Sequence, residues 1–276
     1  MHRTRTVAGT NKGLFKSMNA ERQSPLERYL SILEIIAASQ RPLSLTELAN
    51  IIQLPKPTVH RLVGSLQACG ALKTEERNQR GFSIGRRVTR LLHLSQDPSV
   101  INNYAQIVCD QLTKTVGETC YLVRIGNDAV HTIARSVPDQ GYRLHVFPGH
   151  ELPTHAAASA KAILAYQDDA TIRRLLHPPF KRYTDQTKST MVHVMEDLDQ
   201  VRKQGYAICD REIDSGIMAY GCPVFSGDNE VIYSVGVTGP VNRLSQKPAD
   251  YWVEALRIGA DQFAKMLQAG LAPEEL

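Results

Sequence analysis

The sequence predicts an α+β protein, with a helical N-terminal region followed by a larger region of mixed strands and helices. Up to Gly70, apolar residues recur at helical spacing, with breaks at Arg41-Pro42 and Leu54-Pro55. Two short strand-like pieces then surround a polar tip. Beyond residue 116, strand-like runs in hairpin-like pairs mix with helical patterns, as in α+β domains.

Local signals set the bounds of the first three helices. The first is predicted from an apolar stripe that we expect to be buried: Leu26, Tyr29, Leu30, Leu33 and Ile36. The second begins at a capping box, Ser44-x-x-Glu47. It ends at Leu54-Pro55, because the residue before proline avoids the helical region. Pro57 suits the first turn of the third helix, which Gly70 ends.

The outward side chains of the third helix can all form hydrogen bonds, and none is acidic. They crowd toward the N-terminal end, which a helix-turn-helix protein inserts into the DNA major groove. We expect Lys56 and Thr58 to contact phosphates and His60 and Arg61 to reach base edges, with Ser65 on the same face. An ordinary helical hairpin with a polar face would show the same pattern.

The stretch ALKTEERNQRGFSIG, residues 71–85, strengthens the DNA-binding interpretation. It is typical of a β-wing, with Arg77 and Arg80 at a tip that can pair with backbone phosphates or enter the minor groove. Residues 1–97 hold 15 basic and 7 acidic residues, a net +8, whereas residues 98–276 hold 17 and 21, a net −4. The front of the chain is therefore expected to meet a polyanion, double-stranded DNA.

The chain divides into four predicted segments. Residues 1–24 form a basic arm, 25–85 a winged helix-turn-helix domain, 86–98 a linker helix, and 99–270 a second domain. In that domain a helix over 101–116 precedes strand-like runs at ETCYLVRIGND, AVHTIARSV and YRLHVF. Helical patterns follow at HAAASAKAILAYQ, DATIRRLLH and residues 192–204, then two strand runs over 216–240 and a helix over 249–267.

Six blocks of the chain resemble the IclR family of bacterial transcriptional regulators in order and spacing. These are PLERYLSILEIIA, PLSLTELANIIQLPKPTVHRLVGSL, GFSIGRRV, LPTHAAASAKAILA, VRKQGYAICDREIDSGIMAYGCPVF and VGVTGPVNRL. The resemblance covers residues 25–267. It implies a linker helix joining the winged helix to a GAF-like effector-binding domain, assembly as a dimer or dimer of dimers, and a pseudo-palindromic operator, expected at a catabolic operon.

The resemblance also implies a pocket for a small organic acid in the second domain. Seven residues are expected to line it: His155, Ala158, Ser159, Cys209, Ala219, Gly236 and Thr238. Relatives usually carry Asp or Ser, Cys, Ser and Ser at the last four of these positions. With the polar groups lost and small residues in place, we expect a bulkier and more apolar acid, such as an aromatic carboxylate. The small residues of HAAASA are equally consistent with close packing of a helix on a sheet.

The same residues argue against several other classes of protein. No apolar run approaches the length needed to cross a bilayer, and the basic first residues lack the apolar core of a signal peptide, so a cytoplasmic protein is expected. The cysteines number five, an odd count without a C-x-x-C pair, which favours free thiols over a disulfide framework or a metal site. No nucleophile elbow, P-loop or dinucleotide fingerprint is present, so neither an enzyme nor a bound cofactor is expected.

Two alternatives stay open at this point. One is a thiol-based redox sensor that uses Cys209 and Cys222, which the sequence cannot place in contact. The other is an enzyme domain fused to a DNA-binding module, which would need a nucleophile and a base that no local pattern supplies.

Overall fold

A computed structural model describes residues 24–39, 41–75, 81–95, 97–139, 148–226 and 230–271. The chain forms two compact units, Met1–His93 and Leu94–Leu276. All but the last residue of the predicted arm, residues 1–24, lies outside the described residues.

The first unit is built from short helices and one hairpin. In chain order its elements are α1 (Pro25–Ala37), α2 (Leu45–Ile52), α3 (Lys56–Ala68), β1 (Leu72–Glu75), β2 (Gly81–Ile84) and α4 (Arg86–Ser95). β1 and β2 pair antiparallel, and an isolated bridge joins Leu43 to Phe82. The predicted helix–turn–helix and wing strands are therefore present, with the turn at Gln53 in the left-handed region, φ 56°.

Capping fixes the starts of the first two helices. The predicted box at Ser44 and Glu47 is present, and a second box that we did not predict, at Ser24 and Glu27, begins α1. A hydrogen bond from Arg41, with bonds from Ser44, lowers the pKa of Glu47 to about 2. Each box satisfies amides that the start of a helix leaves unpaired.

The buried face of α1 differs from the predicted stripe. Leu26 is 66% and Leu30 is 47% exposed, whereas Ile32 and Ile35 are buried with the predicted Ile36. The spacing in this segment fits more than one face of the helix, and packing against α2 and α3 decides which face is covered.

The described residues of the second unit form twelve elements in chain order. They are α5 (Pro98–Val116), β3 (Thr119–Ile125), β4 (Val130–Ser136), β5 (Glu151–Leu152), α6 (Ala158–Leu164), α7 (Asp169–Leu175), α8 (Met191–Gln204), β6 (Ala207–Asp210), β7 (Ile217–Ser226), β8 (Glu230–Pro240), α9 (Val241–Leu244) and α10 (Ala249–Leu271). The short β5, β6 and α9 were not predicted. The strand predicted over 142–147 lies outside the described residues.

The strands of this unit form a six-stranded sheet in the order β5-β4-β3-β8-β7-β6, with every neighbouring pair antiparallel. Helices cover both faces. Cys222 of β7 lies against Val253 of α10 on one face, and the preceding residue, Gly221, lies against α6 on the other. Antiparallel strands with helices packed on the sheet confirm the predicted α+β class.

Candidate functional site

The outward face of α3 is polar and basic from its first turn. Lys56, His60, Arg61 and Ser65 are exposed and Thr58 is half-buried, while the apolar residues of the opposite face are buried. No side chain caps the N-terminus of α3, and its first turn holds no acidic residue. The positive end of the helix dipole and the nearby cations therefore favour an anion at this end.

Two contacts qualify this face. The Ser65 hydroxyl donates to the carbonyl of Arg61 at 3.1 Å, so its hydrogen is engaged within the helix. Gln67 Nε2 donates to Thr74 Oγ1 at 2.7 Å, which ties α3 to the first wing strand. Arg77 and Arg80, the predicted contacts at the wing tip, lie outside the described residues.

Strand pairing brings four of the seven predicted effector residues onto one face of the second unit's sheet. Cys209 pairs with Ala219, and Ala219 pairs with Thr238, so the three form a row across β6, β7 and β8. Gly236 lies two residues before Thr238 and pairs with Gly221. Because side chains alternate along a strand, all of these positions face α6.

Helix α6, which holds Ala158 and Ser159, begins directly on this face. A Cβ built at Gly221 would lie 2.8 Å from backbone atoms of both residues. Only a residue without a side chain permits that approach, so close helix–sheet packing is one reason for the small residues here. The hydrogen bond and ring contacts of His155 are with Lys181, Phe180 and Tyr183, none of which is a predicted effector position.

His155 is held by its own surroundings. Its Nε2 lies 2.9 Å from the carbonyl oxygen of Lys181, and its ring stacks on Phe180 and Tyr183 at centroid distances of 5.0 and 5.8 Å. Burial lowers the pKa of the imidazole. The contacts account for this histidine as a structural side chain, and its assignment to an effector pocket stays a prediction.

Tyr121 is a residue of this face that the sequence did not single out. It pairs with Gly236, and a Cβ built on Gly236 would lie 2.7 Å from Tyr121 Cζ, 2.9 Å from the Tyr121 hydroxyl and 2.4 Å from Ser159 Oγ. The tyrosine therefore fills the space that a side chain at position 236 would take. Burial raises the pKa of Tyr121, while its neighbour Ser159 lowers it. Nothing in the run ETCYLVRIGND distinguishes this tyrosine from a core residue.

A buried ionic cluster borders the same face. Lys161 of α6, fully buried, places Nζ 2.6 Å from Asp197 Oδ2 and 2.6 Å from Glu212 Oε1. Lys188 Nζ lies 2.7 Å from Asp197. Burial lowers the pKa of Lys161, but the two carboxylates raise it by more than burial lowers it, so the ammonium stays charged. The sequence signal was available: a single charged residue within an apolar helical run is buried only when paired.

The pKa values of the two carboxylates in the cluster are shifted in opposite directions. Burial raises the pKa of Asp197, but Lys161 and Lys188 lower it by more, and the net pKa is below its usual value. For Glu212 burial raises the pKa by more than the lysines lower it. The cluster ties α6, α8 and the turn after β6 together.

The cysteines do not form the redox pair that the sequence left open. Cys209 faces α6, and Cys222 faces α10, on opposite sides of the sheet. Burial raises the pKa of Cys209 to about 11 and that of Cys222 to about 12. Both thiols are therefore protonated at neutral pH and cannot reach each other, which contradicts this alternative.

A surface depression of about 350 Å³ adjoins the predicted row. Its lining is Asp214, Gly216, Ile217, Pro240, Asn242 and Arg243. Ile217 and Pro240 form the strand pair two residues beyond Ala219 and Thr238. Arg243 is held by a two-fold contact with Glu118, with both N···O distances 2.6 Å. The volume of the depression is in the range of small-molecule binding sites.

The described ranges of the chain contain no group of three or more His, Cys, Asp and Glu side chains placed to hold a metal ion. Within the same ranges, no helix is both long and apolar enough to cross a membrane.

Both parts of the chain match known family profiles. Residues 25–76 match the IclR helix-turn-helix domain, and residues 96–265 match the bacterial transcriptional regulator IclR C-terminal domain. The HTH-type transcriptional regulator BhcR of Paracoccus denitrificans is 29% identical over 251 residues, 91% of this chain and 88% of the relative. The transcriptional repressor IclR of Escherichia coli is 29% identical over 227 residues, 80% of this chain and 81% of the relative.

Solved structures show the same fold. An IclR transcriptional regulator from Alicyclobacillus acidocaldarius gives a TM-score of 0.55 at 26% identity, covering 88% of this chain and 99% of that one. An IclR homolog from Microbacterium hydrocarbonoxydans, complexed with 4-hydroxybenzoate, gives 0.57 at 20% identity, covering 89% and 100%. At 20% identity, the likeness to the second of these structures shows the fold alone.

Proposed function

The chain belongs to the IclR family of bacterial transcriptional regulators, and on that premise we propose that it binds a pseudo-palindromic operator under the control of a small organic acid. It is a transcriptional regulator, not an enzyme. The single observation that carries the DNA-binding part is the uncapped, acid-free N-terminus of α3, with Lys56, His60 and Arg61 exposed around it.

The proposed docking places α3 in the major groove. Lys56 and Thr58 contact phosphates, and His60 and Arg61 read base edges, with Ser65 at the margin of the contact. Arg77 and Arg80 of the wing hold the backbone or enter the minor groove. Phosphate contacts set the orientation on the duplex and base contacts supply the sequence preference.

The proposed effector is an organic acid bound on the α6 face of the second unit's sheet, and an aromatic carboxylate is the finer proposal. The support is the small side chains on this face, at Ala219 of the row and at Gly236 beside it, and the adjoining depression of about 350 Å³. A structural relative complexed with 4-hydroxybenzoate lends support, as a precedent on the same fold. Tight binding of glyoxylate or pyruvate alone would remove the aromatic proposal.

The protein is proposed to work in the cytoplasm as a dimer or dimer of dimers that regulates a catabolic operon. The acid is proposed to control operator binding by a population shift. The acid favours one arrangement of the paired winged helices, which changes their spacing relative to successive major grooves. Half-sites then lie about 10 bp apart or a multiple of that. An acid with equal affinity for both arrangements would change nothing.

The test is a gel-shift titration on the DNA upstream of the gene, repeated with aliphatic and aromatic carboxylates. Arg61→Ala should cost roughly 1–3 kcal/mol and relax the base preference, because a base contact is lost. Arg182→Ala, which removes the same charge from an exposed position in the second unit, is the matched control and should leave operator affinity unchanged.

Three outcomes separate the parts of the proposal. Unchanged operator affinity for Arg61→Ala contradicts the proposed docking. DNA binding that no carboxylate alters contradicts the effector proposal alone. Failure of the wild-type protein to bind any upstream DNA contradicts the function as a whole.

A further inference from the structure

The predicted effector residues supply few free polar groups. The Thr238 hydroxyl donates to the carbonyl of Met218 at 3.1 Å. Burial raises the pKa of the Cys209 thiol to about 11, so the sulfur carries no charge that would interact with an acid. Ala219 and Gly236 have no polar side chain. Ser159 supplies one hydroxyl on this face, so an acid bound here needs a further hydrogen-bond donor.

Tyr121 stands where such a donor is needed. It is 4% exposed and its side chain faces α6, because its strand partner is Gly236. The hydroxyl lies beside Ser159 Oγ, since both come within 3 Å of the same point above Gly236. The phenol therefore lies beside two of the predicted effector positions, Ser159 and Gly236.

The ring of Tyr121 also decides the shape of the face. Glycine at position 236 leaves the room that this ring occupies, since a Cβ there would lie 2.7 Å from Cζ. Along β7 and β8 from the depression, the pair Ile217 and Pro240 comes first, and the pair Ala219 and Thr238 lies two residues further along. Tyr121 and Ser159 lie behind that row. An aromatic ring at this position packs well against another aromatic ring.

We propose that Tyr121 is the specificity-determining residue of the effector site: its ring packs against the ring of an aromatic carboxylate, and its hydroxyl, with that of Ser159, donates to the carboxylate. This inference rests on the proposed effector site and names its substrate class from the residues of this chain. Hydrogen bonds to a charged acceptor are the stronger kind, so the hydroxyl makes a measurable share of the affinity.

The experiment is titration calorimetry of the full chain with benzoate, 4-hydroxybenzoate and pyruvate. Tyr121→Phe keeps the ring and removes the hydroxyl, and should weaken both aromatic acids roughly tenfold to a hundredfold. Tyr121→Leu removes the ring and should abolish the preference for the aromatic acids over pyruvate. Tyr220→Phe is the matched control: its hydroxyl lies on the opposite face, 3.9 Å from Met218 Sδ, and its loss should leave all affinities unchanged.

The outcomes separate this inference from the function on which it rests. Benzoate binding by Tyr121→Phe at wild-type affinity, in a protein that melts at the wild-type temperature, overturns the inference alone. Wild-type protein that binds none of the three acids, with operator affinity unchanged by them, overturns both. Weakened aromatic binding by Tyr121→Phe with an unchanged Tyr220→Phe supports the role of the hydroxyl.

Discussion

Replacing Lys161 with methionine tests whether the buried ionic cluster holds the second unit together. The ammonium is fully buried and lies 2.6 Å from both Asp197 and Glu212. Methionine keeps most of the length and volume of the side chain and removes its charge and its donors. Asp197 retains Lys188 at 2.7 Å. Among the described residues, Glu212 Oε2 has no hydrogen-bond partner, and the cation contact that Glu212 would retain is the one with Lys188 at 3.9 Å.

The expected cost follows from this geometry. Removing one partner of a buried ion pair leaves an uncompensated charge and costs about 3–5 kcal/mol. In a unit of this size, each kcal/mol shifts the melting temperature by about 2–4 °C, so a decrease of about 6–20 °C is expected. Part of this cost is recovered if Glu212 takes up a proton, which its raised pKa favours.

The assay uses the single tryptophan of the chain, Trp252, which is 3% exposed in α10 and so reports on the second unit. Urea unfolding followed by its fluorescence gives the free energy for Lys161→Met and for the control Lys188→Met. Lys188 is 35% exposed, so solvent screening limits its contribution to about 1 kcal/mol. A Lys161→Met protein that is no less stable than Lys188→Met would refute the reasoning.

Three further outcomes are expected. Gly236→Ala should lower the melting temperature, because its Cβ would meet Tyr121 at 2.7 Å, and adding Tyr121→Ala should reduce that loss, a positive coupling that additive effects of the two changes would contradict. Glu47, with a folded pKa of about 2, stabilises α2 fully above its unfolded value near 4.3; helix content by circular dichroism should fall as pH drops from there toward 2, and less so in Glu47→Gln. In a Cys69→Ser protein, which lacks the exposed thiol at the end of α3, operator affinity should be the same in dithiothreitol and in a thiol oxidant, because Cys209 and Cys222 face opposite sides of the sheet; a reversible change on oxidation would contradict this.

The secondary structure of the first unit could be predicted more fully from the sequence than that of the second, because the signals that set its helix ends are local. The box at Ser44 and Glu47, the break at Leu54-Pro55 and the stop at Gly70 act within a few residues, and each one fixes an end of a helix. The outward face of α3 followed from the same helical spacing. The burial of α1 was less predictable, since Leu26 and Leu30 turned out exposed.

The sequence by itself determined the family, the α+β class, and the order of most helices and strands, since periodicity, caps and turn residues are properties of neighbouring positions. The tertiary structure alone decided what meets what across the sheet. Strand register places Tyr121 beside Gly236. It also places Cys209, which pairs with Ala219, on the opposite face of the sheet from Cys222, three residues after Ala219 on β7. Lys161 finds carboxylates 36 and 51 residues away in the chain. Contacts of this kind depend on pairing and packing between distant segments, which no local pattern encodes.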